Sequence, residues 1–271
     1  MTVWLNGKVV DDADASISAM DHGLTVGDGV FETMRVYGGV PFARRRHLDR
    51  MAASAAGLGL TLPDRALLER AMSEVVAAAG HSDARLRLTV TGGVGPPGSG
   101  RGAGPPTVLA VACTLDPAPE TAAVVTVPWT RNENSPLAGI KTTSYGENVV
   151  ALARAKEAGA HEAIFANTKG ELCEGTGTNI AVVIDGRLVT PPLSSGCLAG
   201  VTRALAIEHC DIVEDSVPYS ALDVVTEACL LSSTREVQPI SSIDGRALQV
   251  GDRTRAARAA FRALVERDLD P

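Results

Sequence analysis

The sequence is poor in aromatic residues and contains no long apolar run. Aromatic side chains make up only 3% of its 271 residues, so a hydrophobic core has to be built mainly from alanine, valine, leucine and isoleucine. No apolar stretch reaches the roughly 18 residues of a membrane-spanning helix, so no membrane partner is expected. The first ten residues, MTVWLNGKVV, lack the charged start and apolar run of a secretion signal, and none is expected.

Charge, cysteine and histidine content exclude other classes of function. The formal net charge is −7, and so acidic a chain is a poor candidate for a nucleic-acid partner. The five cysteines form no C-x-x-C pair and are odd in number, which favours a reduced, cytoplasmic protein over a disulfide framework. The five histidines have no metal-ligand spacing, so no metal site is expected.

Hairpin and helix signals alternate without a regular strand–helix–strand rhythm. Asn6-Gly7 and Gly38-Gly39 each separate two strand-like runs and predict hairpin turns. Apolar residues at helical spacing predict a helix over 64–79. The mixture of hairpins and helices indicates an α+β fold.

The composition changes near the middle of the chain. Two prolines in 116–120 predict a linker between a smaller N-terminal α+β domain, 1–117, and a larger C-terminal domain, 121–271. Further helices are predicted over about 146–158 and 252–267 in the second half. Two lobes of this kind predict a functional site in the cleft between the domains.

A glycine-rich stretch, 91–106, resembles a phosphate-binding loop at first sight. It lacks the G-K-[ST] ending of such a loop, and no helix is expected directly after Pro105-Pro106. The composition therefore predicts a mobile surface loop rather than a nucleotide site.

Lysine is scarce, which narrows the search for an amine nucleophile. Of the 25 basic residues only four are lysines, namely Lys8, Lys141, Lys156 and Lys169. Lys141 alone follows a small apolar run, PLAGI, and precedes three hydroxyl residues. A lysine in a partly buried apolar site has a depressed pKa and can act as a nucleophile. A surface lysine at the end of a strand remains the alternative on these grounds.

Hydroxyl residues follow at positions suited to an anion. A helix is predicted to open near Gly200, and its free N–H groups together with the Thr202 hydroxyl would form a phosphate site. Another hydroxyl cluster ends in Thr234.

Together these segments resemble the class IV aminotransferases, which include branched-chain aminotransferases, D-amino-acid aminotransferases and 4-amino-4-deoxychorismate lyases. The matching segments occur in the family's order and span nearly the whole chain. They are DHGLTVGDGVFETMRVYGG (21–39), HLDRM (47–51), LAGIK (137–141), E-G-x-x-x-N from Glu174 to Asn179, LAGVTR (198–203) and SSTREV (232–237).

The resemblance implies the two-domain architecture of fold type IV, pyridoxal 5′-phosphate as cofactor and a homodimer. It implies that Lys141 forms the Schiff base and moves the substrate proton, and that Glu174 keeps the pyridine nitrogen protonated. It also implies that Arg50 holds the cofactor phosphate by charge-assisted hydrogen bonds. Three further positions would complete the phosphate site, namely Val201, Thr202 and Thr234.

Other matching positions concern the substrate and the support of the site. Phe31, Thr33 and Tyr145 are expected to line it, and Asn179 is expected to make a supporting hydrogen bond near the cofactor. D-amino-acid aminotransferases carry a carboxylate-binding arginine where this chain has Gly92, so Arg101 and Arg131 become the candidates for that task.

Two reactions of the family remain open. The run from Arg131 to Lys141, R-N-x-x-x-x-L-A-G-I-K, is similar to aminodeoxychorismate lyases and favours release of 4-aminobenzoate and pyruvate, a step of folate biosynthesis. The K-H-L-N of those enzymes is absent, since Thr142, Thr143 and Ser144 follow the lysine. An amino-acid or amine transaminase is therefore the alternative, of the branched-chain kind rather than the D-amino-acid kind. A cofactor-free binding protein on the same fold is the remote one.

Overall fold

A computed structural model describes residues 1–271, which form two compact units. The first unit contains Met1–Asp116, Ile140–Tyr145 and Leu269–Pro271, and the second contains Pro117–Gly139 and Gly146–Asp268. The chain leaves the first unit within the predicted linker, 116–120. The second unit is smaller than the expected domain 121–271, because the segment that contains Lys141 and the last three residues belong to the first unit.

The first unit is built on a six-stranded antiparallel sheet. Its strands are β1 (Thr2–Leu5), β2 (Lys8–Val10), β3 (Gly29–Tyr37), β4 (Val40–Pro41), β5 (Asp83–Thr91) and β6 (Thr107–Thr114), in the spatial order β2-β1-β6-β5-β3-β4. The predicted turns at Asn6-Gly7 and Gly38-Gly39 are confirmed, and all four of these residues have positive φ. That conformation explains the choice of asparagine and glycine at both hairpins.

Helices pack on one face of this sheet. They are α2 (Arg44–Leu58) and α3 (Arg65–Ala79), while a short helix, α1 (His22–Thr25), precedes β3 in the chain. Met34, Leu86 and Leu88 alternate with outward residues along β3 and β5, and they pack with Met51 and Met72 of the helices. Because side chains alternate along a strand, Phe31, Thr33 and Arg87 lie on the opposite face, where the candidate site begins.

Of the two long helices, α3 was predicted from its spacing and α2 was not. The sequence predicts 64–79, and the helix spans Arg65–Ala79. Helix α2 opens on three consecutive arginines, Arg44–Arg46, and its N-cap residue Ala43 has positive φ and no capping side chain. The sequence therefore shows neither an N-cap residue at the start of α2 nor an uninterrupted apolar stripe along it.

The second unit is built on a nine-stranded mixed sheet. Its strands are β7 (Ala122–Arg131), β8 (Glu162–Asn167), β9 (Leu172–Gly175), β10 (Asn179–Ile184), β11 (Arg187–Thr190), β12 (Ile212–Glu214), β13 (Ala228–Ser232), β14 (Glu236–Ile243) and β15 (Arg246–Ala247). The order is β12-β11-β10-β13-β14-β7-β8-β9, and β15 pairs with β14.

Its helices are α4 (Gly146–Glu157), α5 (Val201–His209) and α6 (Asp252–Arg267), which agree with the predictions over 146–158, near Gly200 and over 252–267. Strands β7 and β8 are parallel, and α4 lies between them in the chain. The helix was predicted but this β-α-β crossover was not, because the parallel pairing of β7 with β8 joins strands that are distant in the sequence. None of the helices combines the length and the apolar character that crossing a bilayer requires.

Candidate functional site

Lys141 is held beside the first strand of the site by its own backbone. Its carbonyl accepts a hydrogen bond from the Phe31 N–H at 3.1 Å, and its N–H donates to Ser54 Oγ at 3.1 Å. Thr143 N–H donates to the Gly29 carbonyl at 2.8 Å. Residues 141–143 thus form an antiparallel bridge with the start of β3, which explains why this segment belongs to the first unit.

The Phe31 ring is the centre of a group of cations and aromatic side chains. The Lys141 amine lies 4.4 Å from its centroid, and the Arg87 guanidinium carbon lies 3.7 Å from it. The Tyr145 ring meets Phe31 edge-on, with centroids 5.1 Å apart. Two cations on one aromatic ring attract any ligand that brings negative charge. Phe31 and Tyr145, both predicted to line the site, therefore lie with Lys141.

Arg87 was not among the predicted site residues. It lies directly across from Thr33 on the paired strands β3 and β5, on the same face as Phe31. As a residue Arg87 is exposed, although partial burial of its guanidinium lowers its pKa. Its Nε donates to Thr89 Oγ1 at 3.3 Å, and no carboxylate of the chain lies within ion-pair distance of it. Polar and apolar residues alternate in RLRLTVT along β5. This alternation, together with the pairing of β5 with β3, was the signal that could have identified Arg87.

The two arginines that were expected to bind a substrate carboxylate have carboxylate partners inside the protein. Arg101 makes two hydrogen bonds to Asp28, each 2.7 Å long. Arg131 pairs with Glu147 at 3.0 Å and with Glu174 at 3.4 Å. Their charges are already matched, which distinguishes both from Arg87.

Arg101 also fixes the glycine-rich stretch. Its Nη2 donates to the Leu58 carbonyl at 2.8 Å, so one side chain connects this stretch to Asp28 and to the end of α2. Nearby, His22 Nε2 contacts the Pro96 carbonyl at 3.0 Å. The stretch 91–106, predicted as a mobile surface loop, is therefore anchored at several points rather than held only by its ends.

Arg50 belongs to a buried ionic cluster on the helical side of the sheet. Its Nε and Nη2 bind the two oxygens of Glu32 at 2.8 and 2.5 Å, and His47 Nδ1 lies 2.6 Å from Glu32 Oε2. Glu32 has no solvent-exposed surface. Arg50 was predicted to bind the cofactor phosphate, and this pairing orients its guanidinium.

The surroundings lower the pKa values of both Glu32 and His47. Burial works to raise the pKa of Glu32, but the Arg50 guanidinium and His47 outweigh it and lower the pKa to about 2. Burial lowers the pKa of His47, which the Glu32 carboxylate opposes. At neutral pH the cluster therefore consists of a carboxylate, a guanidinium and a neutral imidazole.

In the second unit, the Glu174 side chain has one hydrogen-bond donor and one guanidinium beside its carboxylate oxygens. It lies on β9, and its side chain is 14% exposed. The Leu198 N–H donates to its Oε2 at 2.9 Å, and Arg131 Nε lies 3.4 Å from Oε1. Arg131 in turn stacks on the Phe165 ring at 4.1 Å. These contacts hold the Glu174 carboxylate in one orientation.

The loop whose Leu198 N–H binds the Glu174 carboxylate leads directly into α5. Asn179 Nδ2 donates to the Leu198 carbonyl at 2.9 Å. A Cβ at Gly200 would overlap Asn179 Oδ1, so only glycine fits at the N-cap of α5. The loop before the helix is thereby fixed by Asn179 on one side and by Glu174 on the other.

Val201 and Thr202 are the first two residues of α5, and both are buried. The first N–H groups of a helix have no partner within the helix, and they carry its positive dipole end. Thr234 lies in the turn between β13 and β14 and is partly buried. These three positions offer N–H and hydroxyl donors without a cation, which is the donor set of a phosphate site. No cluster of three or more potential metal ligands occurs in the chain.

Comparisons with known proteins agree with this geometry. Residues 29–243 match the family described as amino-transferase class IV. A Methanocaldococcus jannaschii protein, to which branched-chain-amino-acid aminotransferase activity is ascribed, is 36% identical over 97% of this chain and 96% of its own. The D-alanine aminotransferase of Bacillus licheniformis is 31% identical over 93% and 91% of the two chains.

Solved structures agree as well. A branched-chain aminotransferase from Thermoproteus uzoniensis, determined with norvaline, is 32% identical and superimposes with a TM-score of 0.89. The match covers 98% of this chain and 94% of that one.

Proposed function

Because the chain belongs to the class IV aminotransferases, which are pyridoxal-phosphate enzymes, we propose that it transfers the amino group of an amino acid to a keto acid. The observation that carries the proposal is the accessible guanidinium of Arg87, which has no carboxylate partner and shares the Phe31 ring with Lys141. A small molecule with both an amine and a carboxylate fits these two neighbouring groups. Its amine would take the place of Lys141, and its carboxylate would bind Arg87.

The residues present fit the cofactor. Its phosphate needs several N–H or hydroxyl donors, and the start of α5 offers buried ones at Val201 and Thr202. Its ring nitrogen needs a fixed carboxylate, and Glu174 is held by Leu198 and Arg131. Its aldehyde needs an amine, which Lys141 would supply. Bound there, the cofactor would provide an electron sink for the substrate carbon.

Each of these side chains then has a defined task. Lys141 would hold the cofactor and, once the substrate amine has replaced it, would move a proton at the amine-bearing carbon with its Nζ. Glu174 would hold a proton on the ring nitrogen. Arg50, Thr202 and Thr234 would bind the phosphate, and Arg87 would orient the substrate through its carboxylate.

A 4-amino-4-deoxychorismate lyase is the second candidate. The observation in its favour is the run from Arg131 to Lys141, which is similar to that of the lyases. The substrate of such a lyase carries two carboxylates. Beside Lys141, however, the structure offers one cation without an acidic partner, Arg87. The Methanocaldococcus and Bacillus relatives are both aminotransferases by name, which also supports amino transfer.

Product analysis of the purified holoenzyme separates the two candidates. One series contains branched-chain and other amino acids with 2-oxoglutarate or pyruvate, and a second contains aminodeoxychorismate. We expect keto-acid formation in the first series and no 4-aminobenzoate in the second. Release of 4-aminobenzoate and pyruvate, without amino transfer in the first series, would replace the proposal by the lyase.

Family membership also supports a cytoplasmic homodimer. The five cysteines are all free thiols in the structure, which suits a reducing compartment. Light scattering coupled to size-exclusion chromatography would measure the mass, and a monomer at micromolar concentration would contradict the dimer.

A further inference from the structure

A second buried glutamate, Glu162, makes contacts that the proposed reaction does not use. It is the first residue of β8 and is 1% exposed. Its Oε1 accepts hydrogen bonds from the Thr176 N–H at 2.9 Å and from the Thr176 hydroxyl. Its Oε2 faces Arg235 Nη1 at 3.3 Å. The carboxylate therefore connects two segments that are 59 residues apart in the sequence, Thr176 and Arg235.

Both contacts lie next to proposed cofactor-binding residues. Thr176 follows β9, the strand that carries Glu174, and Arg235 directly follows Thr234. Asn179 of β10 pairs with Leu231 of β13, so the turn before β10 and the turn after β13 lie at the same end of the sheet. One side chain thus spans the end of the sheet from the strand of Glu174 to the turn of Thr234.

The packing around Gly175 shows that this position of Glu162 is built in. A Cβ at Gly175 would overlap Thr178 Oγ1 and would lie 3.1 Å from Glu162 Cγ. The backbone of β9 therefore packs closely against the Glu162 side chain, and any larger residue at Gly175 would require the Thr178 side chain to move. Burial raises the pKa of Glu162, which Arg235 opposes, so the ion pair with Arg235 also offsets the cost of a buried charge.

We propose that Glu162 is a positioning residue that fixes the spacing between Glu174 and Thr234. The inference rests on the proposed function, in which Glu174 would hold the ring nitrogen and Thr234 the phosphate of one cofactor molecule. A ligand held at two points tolerates only small errors in the distance between its binding groups. Glu162 sets that distance by holding the end of β9 and the turn after β13 to a single carboxylate.

Titration of the apo-protein with pyridoxal 5′-phosphate tests this directly, with the visible absorbance or the tryptophan fluorescence as the readout. We expect Glu162→Ala and Arg235→Met each to raise the cofactor Kd roughly tenfold or more, the range for loss of a charged hydrogen bond. The double variant should bind the cofactor no more weakly than the weaker-binding single variant, because both substitutions remove the same link. Glu162→Gln keeps an acceptor for Thr176 and should have a smaller effect.

Tyr219→Phe is the matched control. Its hydroxyl donates to the Ile164 carbonyl at 2.7 Å on the same strand as Glu162, but it contacts neither turn. It should lower the thermal midpoint without changing the cofactor Kd. Glu162 and Arg235 variants that bind the cofactor within twofold of wild type would overturn the proposal, as would effects that add in the double variant. If Glu162→Ala fails to fold, Glu162→Gln and Arg235→Met decide by the same criterion.

The same titration separates this inference from the proposed function. A wild-type protein that binds the cofactor but transfers no amino group contradicts the amino-transfer proposal and leaves the test of Glu162 intact. A wild-type protein that does not bind the cofactor contradicts both. Normal binding and turnover in wild type, together with unchanged cofactor affinity in the Glu162 and Arg235 variants, contradicts only the positioning role.

Discussion

The two units of the chain supply opposite kinds of binding group. The first unit places Lys141 and Arg87 on one aromatic ring and holds Arg50 against Glu32. The second unit offers a carboxylate, Glu174, and the N–H and hydroxyl donors at the start of α5. In the proposed function, Lys141 and Arg87 would act on the amine and the carboxylate of the substrate, whereas the phosphate would be bound by Arg50 of the first unit and by the donors of the second.

The two units also differ in how they treat a buried glutamate, because the pKa of Glu32 is lowered and that of Glu162 is raised. Three strong contacts from a guanidinium and an imidazole lower the pKa of Glu32 to about 2. Glu162 has one guanidinium contact, at 3.3 Å, and otherwise neutral donors, so burial prevails and raises its pKa. Burial alone does not determine the charge of an acid, since the number and strength of its donors decide the sign of the shift.

The largest effect is expected at Lys141, the proposed reactive amine of the first unit. Lys141→Ala should reduce kcat/KM by roughly 10⁴-fold or more, the scale for loss of a covalent nucleophile. The visible absorbance of lysine-bound cofactor should vanish, while circular dichroism stays unchanged. Lys156→Ala, at an exposed position near the end of α4, is the control and should retain activity. Turnover near wild type in Lys141→Ala would refute the assignment of the reactive amine.

The next effect tests the carboxylate of the second unit. Glu174→Gln should lower kcat by about 10²- to 10³-fold, because it removes a fixed charge at the ring nitrogen, while some cofactor binding remains. Glu147→Gln is a matched control, since Glu147 is the other carboxylate partner of Arg131 but its side chain is 78% exposed. Equal activities in the two variants would show that Glu174 acts only by neutralising Arg131.

Much of the fold was accessible from local sequence signals. Asn-Gly and Gly-Gly pairs located hairpins, and apolar spacing located α3, α4 and α6 to within a few residues. Helix α2 and the parallel pairing of β7 with β8 were not accessible. The first begins without a capping side chain, and the second depends on strand partners distant in the sequence.

The predicted site residues came from sequence motifs. The motifs did not show which residues the fold brings into contact. Lys141 and Glu174 stand out as single residues in recognisable segments. Arg87 becomes notable only when β5 is paired with β3, and Glu162 only when two separate turns approach it. Arg101 and Arg131 were attractive as isolated charges, but the fold gives each a carboxylate partner. Charge pairing of this kind depends on tertiary contacts that spacing does not encode.

The third prediction contrasts the two buried glutamates through the pH dependence of stability. The folded-state pKa of Glu32 lies below its ordinary value of 4.5, at about 2. Its stabilising contribution is therefore complete above about pH 4.5 and is lost as the pH falls toward 2. The shift corresponds to about 3 kcal/mol at neutral pH, which Glu32→Gln should remove from the free energy of unfolding. Urea denaturation between pH 7 and pH 3 measures it.

Glu162→Gln is the control, because the sign of its pH dependence is opposite. A raised folded-state pKa means that the folded protein binds the proton more readily, so the contribution of Glu162 declines as the pH rises above about 4.5. The stability difference between wild type and Glu32→Gln should therefore shrink on acidification, whereas wild type should gain relative to Glu162→Gln. Parallel curves for the two variants would contradict the contrast between the clusters.

The smallest effect is expected at Arg87, and it tests whether this cation recognises a substrate carboxylate. Arg87→Met should raise KM for amino-acid donors by about ten- to a hundredfold, the scale for a lost charged hydrogen bond, with a smaller change in kcat. A donor amine without a carboxylate should be unaffected. Arg85→Met, on the same face of β5 but not on the Phe31 ring, is the control. If both donors lose activity equally, Arg87 supports the Phe31 ring instead, and substrate recognition has to be sought elsewhere.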